Sequence, residues 1–321
     1  MRTVTVSQYG GPDELRTADV PIPSPGPRQV LVKVDLAGVN YMDVYHRTGA
    51  VPLPLPFGAG VEGVGRVARA GAEVTDLAEG ALVGWFSGGQ GSYADYVLVE
   101  AERAVPVPGD VPAGTAVALL MQGVTAHYLA TDAYPVQSGD TVLIHAAAGG
   151  VSQLLSQIVK LRGGRVIGTV STPEKFAAAR AAGADDVILY DRFDSKVREL
   201  TMGLGVAAVY DGVGAATFEG SLGALRPRGT LLIHGTASGP PPPLDIPRLN
   251  AGGSLYVTRP SIAHYAATAA ALRRRADDVF AWVREGLLTV PAGTRFGLDE
   301  AATAHRAIES RTTTGKLLLE I

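Results

Sequence analysis

TVLIHAAAGGVSQLL, residues 141–155, reads as a strand, a glycine-rich turn and the start of a helix. The apolar run at 141–146 is short, as expected of a strand buried on both faces. Beyond it Val151, Leu154, Leu155, Ile158 and Leu161 recur at helical spacing. Set against G-x-G-x-x-G, the turn has Ala147, Gly149 and Ser152 at the three glycine positions, with an additional Gly150. The middle glycine lets backbone approach a pyrophosphate closely. A helix starting near Gly150 aims its free N–H groups and positive dipole end at the same place. Ser152 replaces the glycine that permits close helix–strand packing, so a slight shift is expected there with binding kept. The alternative is a βα turn with no ligand. The buried strand before the turn and the amphipathic helix after it favour dinucleotide binding.

Working outward, the alternation continues. Residues 165–170 form the next strand. Thr172 is placed as an N-cap, Pro173 as the first helical residue and Gly183 as the stop. Strands follow at 186–189, 207–211 and 230–234, and one at 254–257 closes the sheet. This βαβαβ order requires a parallel sheet with helices on both faces, an α/β fold of the doubly wound, Rossmann type. Four prolines at 240–243 make a stiff loop. Helices are expected around 261–286 and 299–310.

Before residue 122 the texture differs. Alternating runs at 2–8, 30–36, 63–69, 81–86 and 93–99 are separated by proline- and glycine-rich punctuation, the pattern of a partly closed β-barrel. The run VPLPLP at 51–56 cannot be a central strand, because each proline removes a ladder donor. A last strand at 316–321 returns to this first region. The expected division is therefore 1–122 plus 262–321 for one domain and 123–261 for the nucleotide domain inserted in it.

The second strand of the nucleotide domain bears on cofactor choice. NAD sites place Asp or Glu against the ribose 2′-OH about 20 residues beyond the loop. Here the strand ends Gly168, Thr169, Val170, Ser171, and Lys175 follows within one helical turn. Ser171 and Thr172 donate to an oxyanion and Lys175 adds charge, which suits the 2′-phosphate of NADPH. A hydrogen bond to a charged group contributes roughly 1.5–3 kcal/mol, enough to decide between the cofactors. Tyr190, at the end of the third strand, completes the adenine side. The competing reading makes Lys175 a solvated lysine and Tyr190 a core residue.

Composition narrows the partners. Hydrophobic residues are 46% of the 321 and charged residues 18%, a globular balance. The formal net charge of −3 lacks the basic excess of a nucleic-acid binder. With no cysteine, disulfides and thiolate zinc sites are excluded. No run is long enough to span a membrane, and the N-terminus lacks the pattern of a signal peptide, so the cytoplasm is the expected location. Neither a Tyr-x-x-x-Lys pair nor a P-loop Gly-Lys-Ser/Thr occurs.

Seven segments carry a resemblance that runs from end to end: AGVNYMDVYHRTG at 37–49, GAGVEGVGRV at 58–67, MQGVTAHYL at 121–129, HAAAGGVS at 145–152, VYDGVG at 209–214, SLYVTRPS at 254–261 and ESRTTTGKLLLEI at 309–321. In their order and spacing the chain resembles the zinc-independent NADPH:quinone oxidoreductases of the medium-chain dehydrogenase/reductase superfamily, the zeta-crystallin-like branch. The first domain is then implied to be GroES-like. The zinc branch has a Cys ligand where this chain has Asn40 and a His ligand where it has Val61, so a catalytic zinc has no first shell here and no metal is expected.

The resemblance implies the remaining site residues. Asn40, Asp43 and Tyr45 lie near the nicotinamide end. Thr125 and the loop with Ala148, Gly149, Gly150 and Val151 hold phosphates and ribose. Ser171, Lys175 and Tyr190 meet the 2′-phosphate side. Gly235, Ser238 and Arg259 flank the nicotinamide, and Arg311 reaches back from the C-terminal segment. Where the family often has Phe-Gly-Asn-Ser, this chain has His234-Gly235-Thr236-Ala237, which reduces contacts there to backbone. The implied reaction moves a hydride from NADPH to a small-molecule quinone, with Tyr45 as proton donor, Asp43 orienting its neighbours and Asn40 anchoring cofactor or acceptor. A packing role is the alternative for Tyr45. Reduction of activated C=C bonds in enals or enones, or a non-catalytic NADPH-binding role, are the competing functions. A homodimer through the nucleotide domain is implied by resemblance. Three histidines and one charge run get ordinary readings. His46 is placed at a surface or cleft mouth, His127 and His145 in packing roles, and Arg273, Arg274 and Arg275 on a solvated helix face.

Overall fold

Apolar runs such as VLI at 142–144 and VAAV at 206–209 fit a sheet covered on both faces, and that is where they lie. The computed structural model describes residues 1–86, 90–310 and 313–321. It separates into two compact units, Met1–Met121 with Thr268–Gly286 and Val290–Ile321, and Gln122–Ala267 with Leu287–Thr289. The sequence reading divides the chain at 122/123 and 261/262. Residues 262–267 lie instead with the nucleotide unit, because the Tyr265 ring stacks on Tyr128 at 4.6 Å and Ala266 is fully buried.

The nucleotide unit holds six parallel strands in the order Asp186–Leu189, Arg165–Val170, Thr141–Ile144, Val206–Asp211, Leu225–Ile233, Tyr256–Thr258. The chain starts at Thr141–Ile144, builds outward to one edge, then returns beside its starting strand and builds to the other. The reversal falls between Thr141–Ile144 and Val206–Asp211, and ligands of such sheets bind beyond the strand ends at that point. Leu143, Ile167, Val209 and Leu231 are fully buried against Phe193 and Phe218. Each such side chain contributes roughly 1.5–3 kcal/mol on leaving water. The helix Gly150–Leu161 buries Leu154, Leu155, Ile158 and Val159. Leu161, expected in that stripe, is exposed.

The first unit is built around the long strand Gln29–Val39. One of its edges pairs antiparallel with Glu62–Ala70. The other is shared by Tyr96–Glu100 along 29–33 and Leu317–Glu320 along 36–39. Leu82–Phe86, Val105–Pro106 and Thr294–Gly297 extend this sheet to seven strands. A three-stranded sheet of Arg16–Asp19, Arg2–Val6 and Phe57–Gly58 completes the β structure. Residues 51–56 form no strand. The last strand therefore returns to the first region as expected. Helix Ala269–Arg284 begins at Thr268, whose hydroxyl accepts the Ala271 N–H at 3.1 Å. The solvated-face reading of its arginines fails at Arg275, which is buried. Its position falls on the same helix face as Leu272, Ala276 and Val279. Arg273 pairs with Asp76 at 2.8 Å. Among the described residues no helix is long and apolar enough to cross a membrane.

Candidate active site

In the nucleotide unit the turn after Thr141–Ile144 is shaped by backbone. Ala146 adopts a left-handed φ of 50°, the Gly149 N–H returns to its carbonyl at 2.7 Å, and the Tyr190 hydroxyl accepts its N–H at 2.9 Å. The tight turn thus falls one residue before the first glycine position. No side chain caps the helix at Gly149. A Cβ at Gly149 would press on one atom, the Ala146 carbonyl oxygen at 3.1 Å, and no side chain lies over this position. At Gly150 a Cβ would lie 2.3 Å from the Gln122 side chain, so the missing Cβ there also makes room for that amide. An uncapped helix N-terminus beside an unobstructed glycine fits a pyrophosphate.

Ser152 is an active replacement for the third glycine. Its hydroxyl donates to the His145 carbonyl at 2.9 Å, which ties the helix to the strand end. His145 is fully buried between the Thr169 hydroxyl at 2.8 Å and the Ser221 hydroxyl at 2.9 Å. Ser221 and Thr217 in turn donate to Asp211. Burial lowers the His145 pKa to about 4, so the ring is neutral. This is the structural histidine that the sequence suggests. His127 is likewise buried, against the Thr131 hydroxyl at 3.2 Å. His46, placed at a surface or cleft mouth, is mostly buried.

The other nucleotide-side candidates distribute as follows. Ser171 is exposed at the end of Arg165–Val170. Lys175 is half-buried one turn later, and burial lowers its pKa. Tyr190 is half-buried, with its ring 5.8 Å from His145. Ala148 is buried, while Val151 and Thr125 are half-buried. Gly235 is pressed against Gly212, whose carbonyl would lie 2.7 Å from an added Cβ. The Ser238 hydroxyl is committed to its own loops, donating to the Val213 carbonyl at 2.8 Å and accepting the Ala216 N–H at 3.0 Å. Arg259 is exposed. Arg311 lies outside the described residues.

In the first unit, Asn40, Asp43 and Tyr45 sit at the start of helix Tyr41–Thr48. Asp43 accepts the Asn40 N–H at 2.8 Å, satisfying a free donor at the helix entry. Its Oδ2 also accepts the Tyr93 hydroxyl at 3.0 Å, while the buried Oδ1 has no partner among the described residues. Burial pushes the Asp43 carboxyl up to about 7, against the pull of these hydrogen bonds and of Lys316. Tyr93 stands 3.3 Å from His305 Nε2, and Arg47 Nη1 lies 3.0 Å from His305 Nδ1. Arginine only donates, so Nδ1 accepts and Nε2 carries the proton. Burial and Arg47 hold His305 neutral, with its pKa lowered to about 3. The donors therefore run Arg47, His305, Tyr93, Asp43 in one direction. Tyr45 is half-buried, its ring 6.2 Å from Tyr41.

The Asn40 amide is also engaged. Nδ2 donates to Glu62 Oε2 at 2.9 Å and to the Gly38 carbonyl at 3.3 Å, and Oδ1 accepts from Lys316 Nζ at 2.8 Å. Lys316 pairs with Glu62, and both side chains are essentially inaccessible. Sequence reading names neither as a site residue, and it also passes over Arg47, Tyr93 and His305. The only signals were the GVEG and GKLLLEI segments, which carry no hint that they meet. Among the described residues no group of three or more His, Cys, Asp or Glu side chains is placed to hold a metal.

Comparison with known proteins agrees with this layout. Residues 26–109 match the alcohol dehydrogenase GroES-like domain, and residues 150–274 match the family described as zinc-binding dehydrogenase. The quinone oxidoreductase of Pseudomonas aeruginosa is 40% identical, over 99% of both chains. A 2-haloacrylate reductase from a Burkholderia species is 38% identical over 98% of this chain and 97% of its own. A mycobacterial protein solved in complex with NADPH superposes with a TM-score of 0.97 at 44% identity, covering all of both chains.

Proposed function

The chain belongs to the quinone oxidoreductases of the medium-chain dehydrogenase/reductase superfamily, and on that premise we propose that it reduces quinones with NADPH, without zinc. The observation that carries the reading is the uncapped turn at Gly149 followed by an acid-free strand end with Ser171 and Lys175. When bound, NADPH supplies a hydride from its nicotinamide ring. The chain's part is to bind, orient and protonate. Gly149, Gly150 and Val151 offer backbone to the pyrophosphate, and Ser171 and Lys175 offer donors and charge to the 2′-phosphate. Ala148, Thr125, Tyr190, Gly235, Ser238 and Arg259 line the rest of the cofactor.

A quinone that accepts a hydride needs one proton to become the hydroquinone, which gains an aromatic ring. Little activation is required, so orientation dominates. Tyr45 is the proposed donor of that proton, Asn40 the anchor and Asp43 the residue that holds the helix entry. We further propose a cytoplasmic homodimer joined through the nucleotide unit.

The test is the loss of NADPH absorbance with 1,4-benzoquinone or 9,10-phenanthrenequinone, beside NADH. Fast quinone-dependent oxidation of NADPH with NADH poor supports the reading; tight NADPH binding with no quinone turnover overturns it. The 2-haloacrylate reductase relative favours a second reading, reduction of an activated C=C bond, for which enals, enones and haloacrylates are the substrates to compare. Tyr45→Phe is expected to lower turnover about tenfold with NADPH affinity unchanged. Full activity in that variant returns Tyr45 to a packing role.

A further inference from the structure

We propose that Lys316 is a positioning residue for the reaction: its ammonium, shared by Glu62 and Asn40, sets the orientation of the Asn40 amide and the start of the helix that carries Asp43 and Tyr45. The proposal rests on the reductase reading above, because it concerns the rate of that reaction.

Strand register brings the three residues together. Leu317 pairs with Val39 and Ala37 with Gly63, both antiparallel. One step further along each ladder sets Lys316 opposite Asn40 and Glu62 opposite Gly38. Gly38 leaves the room they need. A Cβ there would lie 2.2 Å from Glu62 Oε2, 2.7 Å from Lys316 Cε and 2.8 Å from Val117. Glu62 Oε1 is also used, accepting the Met121 N–H at 2.8 Å.

Stability does not account for this arrangement. A fully buried ion pair loses in desolvation about what it gains in attraction, and apolar replacement of the whole pair is often neutral or stabilising. What the pair does provide is direction. An ammonium has donors only, so Asn40 Oδ1 must face Lys316 and Nδ2 must face Glu62 and the Gly38 carbonyl. With both N–H groups taken, the amide can present to a ligand only the remaining lone pair of Oδ1. Lys316 thus decides that Asn40 offers an acceptor. The Asn40 backbone N–H, held by Asp43, links the same setting to the helix entry.

The experiment compares wild type, Lys316→Met, Lys316→Arg and the double variant Lys316→Met/Glu62→Leu. Each is measured for urea midpoint, NADPH affinity by nicotinamide fluorescence, and kcat and KM with 1,4-benzoquinone. Lys316→Met alone leaves Glu62 buried and unpaired and should lower the urea midpoint. The double variant removes the unpaired carboxylate and should regain most of the lost midpoint, short of wild type by the Met121 N–H left without its acceptor, and bind NADPH within about threefold of wild type, with kcat still down by about 30-fold. Recovery of kcat together with the midpoint overturns the proposal and makes Lys316 structural. Should the double variant fail to fold, Lys316→Arg decides. It keeps charge and donors while altering their geometry, and kcat should fall about tenfold with NADPH affinity unchanged. Unchanged kcat in Lys316→Arg overturns the proposal. A wild type that binds NADPH but reduces no quinone sinks the reductase reading and this inference together. An active wild type with a fully active double variant sinks the inference alone.

Discussion

The two units prepare for polar chemistry in opposite ways. The nucleotide unit does so with backbone: the turn around Ala146 and Gly149 and the helix start behind it fall within a dozen consecutive residues. The first unit does so with side chains from distant segments, Lys316 reaching an amide 276 residues earlier in the chain. Short-range sequence patterns can encode the first kind of site, because the ligand-binding groups are peptide N–H groups whose placement needs only a strand, a turn and a helix. The second kind exists only after strand register is set.

Substitutions at two glycines put this contrast under the greatest load. Gly38→Ala drives a methyl into the Glu62–Lys316 pair and should cost about 3 kcal/mol in urea unfolding, with no cofactor present. Gly149→Ala presses only on the Ala146 carbonyl oxygen, a single tight contact against three at Gly38, and should cost less stability, about 1 kcal/mol, while NADPH binding, followed by fluorescence, falls tenfold or more, at about 1.4 kcal/mol per factor of ten. Equal loss of stability in both variants would break the comparison.

Acid titration separates the units by a smaller amount. His145 has a folded pKa of about 4 against 6.5 unfolded. The stability from keeping it neutral is complete above pH 6.5 and is lost as pH falls toward 4, because the unfolded chain takes the proton first. His234, lowered to about 4 by burial, adds to it. In the first unit His305 acts in the same direction. Asp43, raised to about 7, acts against it, since its buried charge costs stability above pH 7 and that cost is relieved as pH falls. His145→Gln should therefore retain about 2 kcal/mol more of its own stability than wild type does between pH 6.5 and 5. An unchanged pH slope in urea midpoints would contradict it.

Lys175→Ala should weaken NADPH by about tenfold and leave NADH unchanged in the same fluorescence titration. Equal losses for the two cofactors would remove Lys175 from the 2′-phosphate. Smallest of all, Ser152→Ala deletes one hydrogen bond to the strand end and should cost about 1 kcal/mol of stability with NADPH affinity kept.

Much of the fold was legible because hydrophobic period and turn residues agree locally. The strand Arg165–Val170 and the return of Leu317–Glu320 were both readable from pattern alone. The segment 262–267 was misallotted because its anchor is a ring stack between Tyr128 and Tyr265, a contact that no periodicity announces. Arg275 misled for a related reason. A run of three arginines looks uniformly solvated, but helical geometry turns one of them inward. Of the site, the phosphate turn was visible and the Lys316–Glu62–Asn40 group was not. Nothing in a lone Gly-Lys near the end of a chain identifies a carboxylate near residue 62 as its partner.

The pairing of Leu317–Glu320 with the strand near residue 36 also sets an order of events during synthesis. Domains generally fold as units while the chain emerges, the N-terminal one first. Here the nucleotide sheet is complete once residue 258 has been made, whereas the sheet begun at residue 29 lacks the strand that covers 36–39 and joins Thr294–Gly297 to it, and Glu62 lacks its cation, until residues 316–320 are released. The second region in the sequence is thus the first able to finish. The nascent first region must wait with an open strand edge and an uncompensated acid, so a ribosome stalled shortly before residue 316 would hold a finished nucleotide unit beside an unfinished partner.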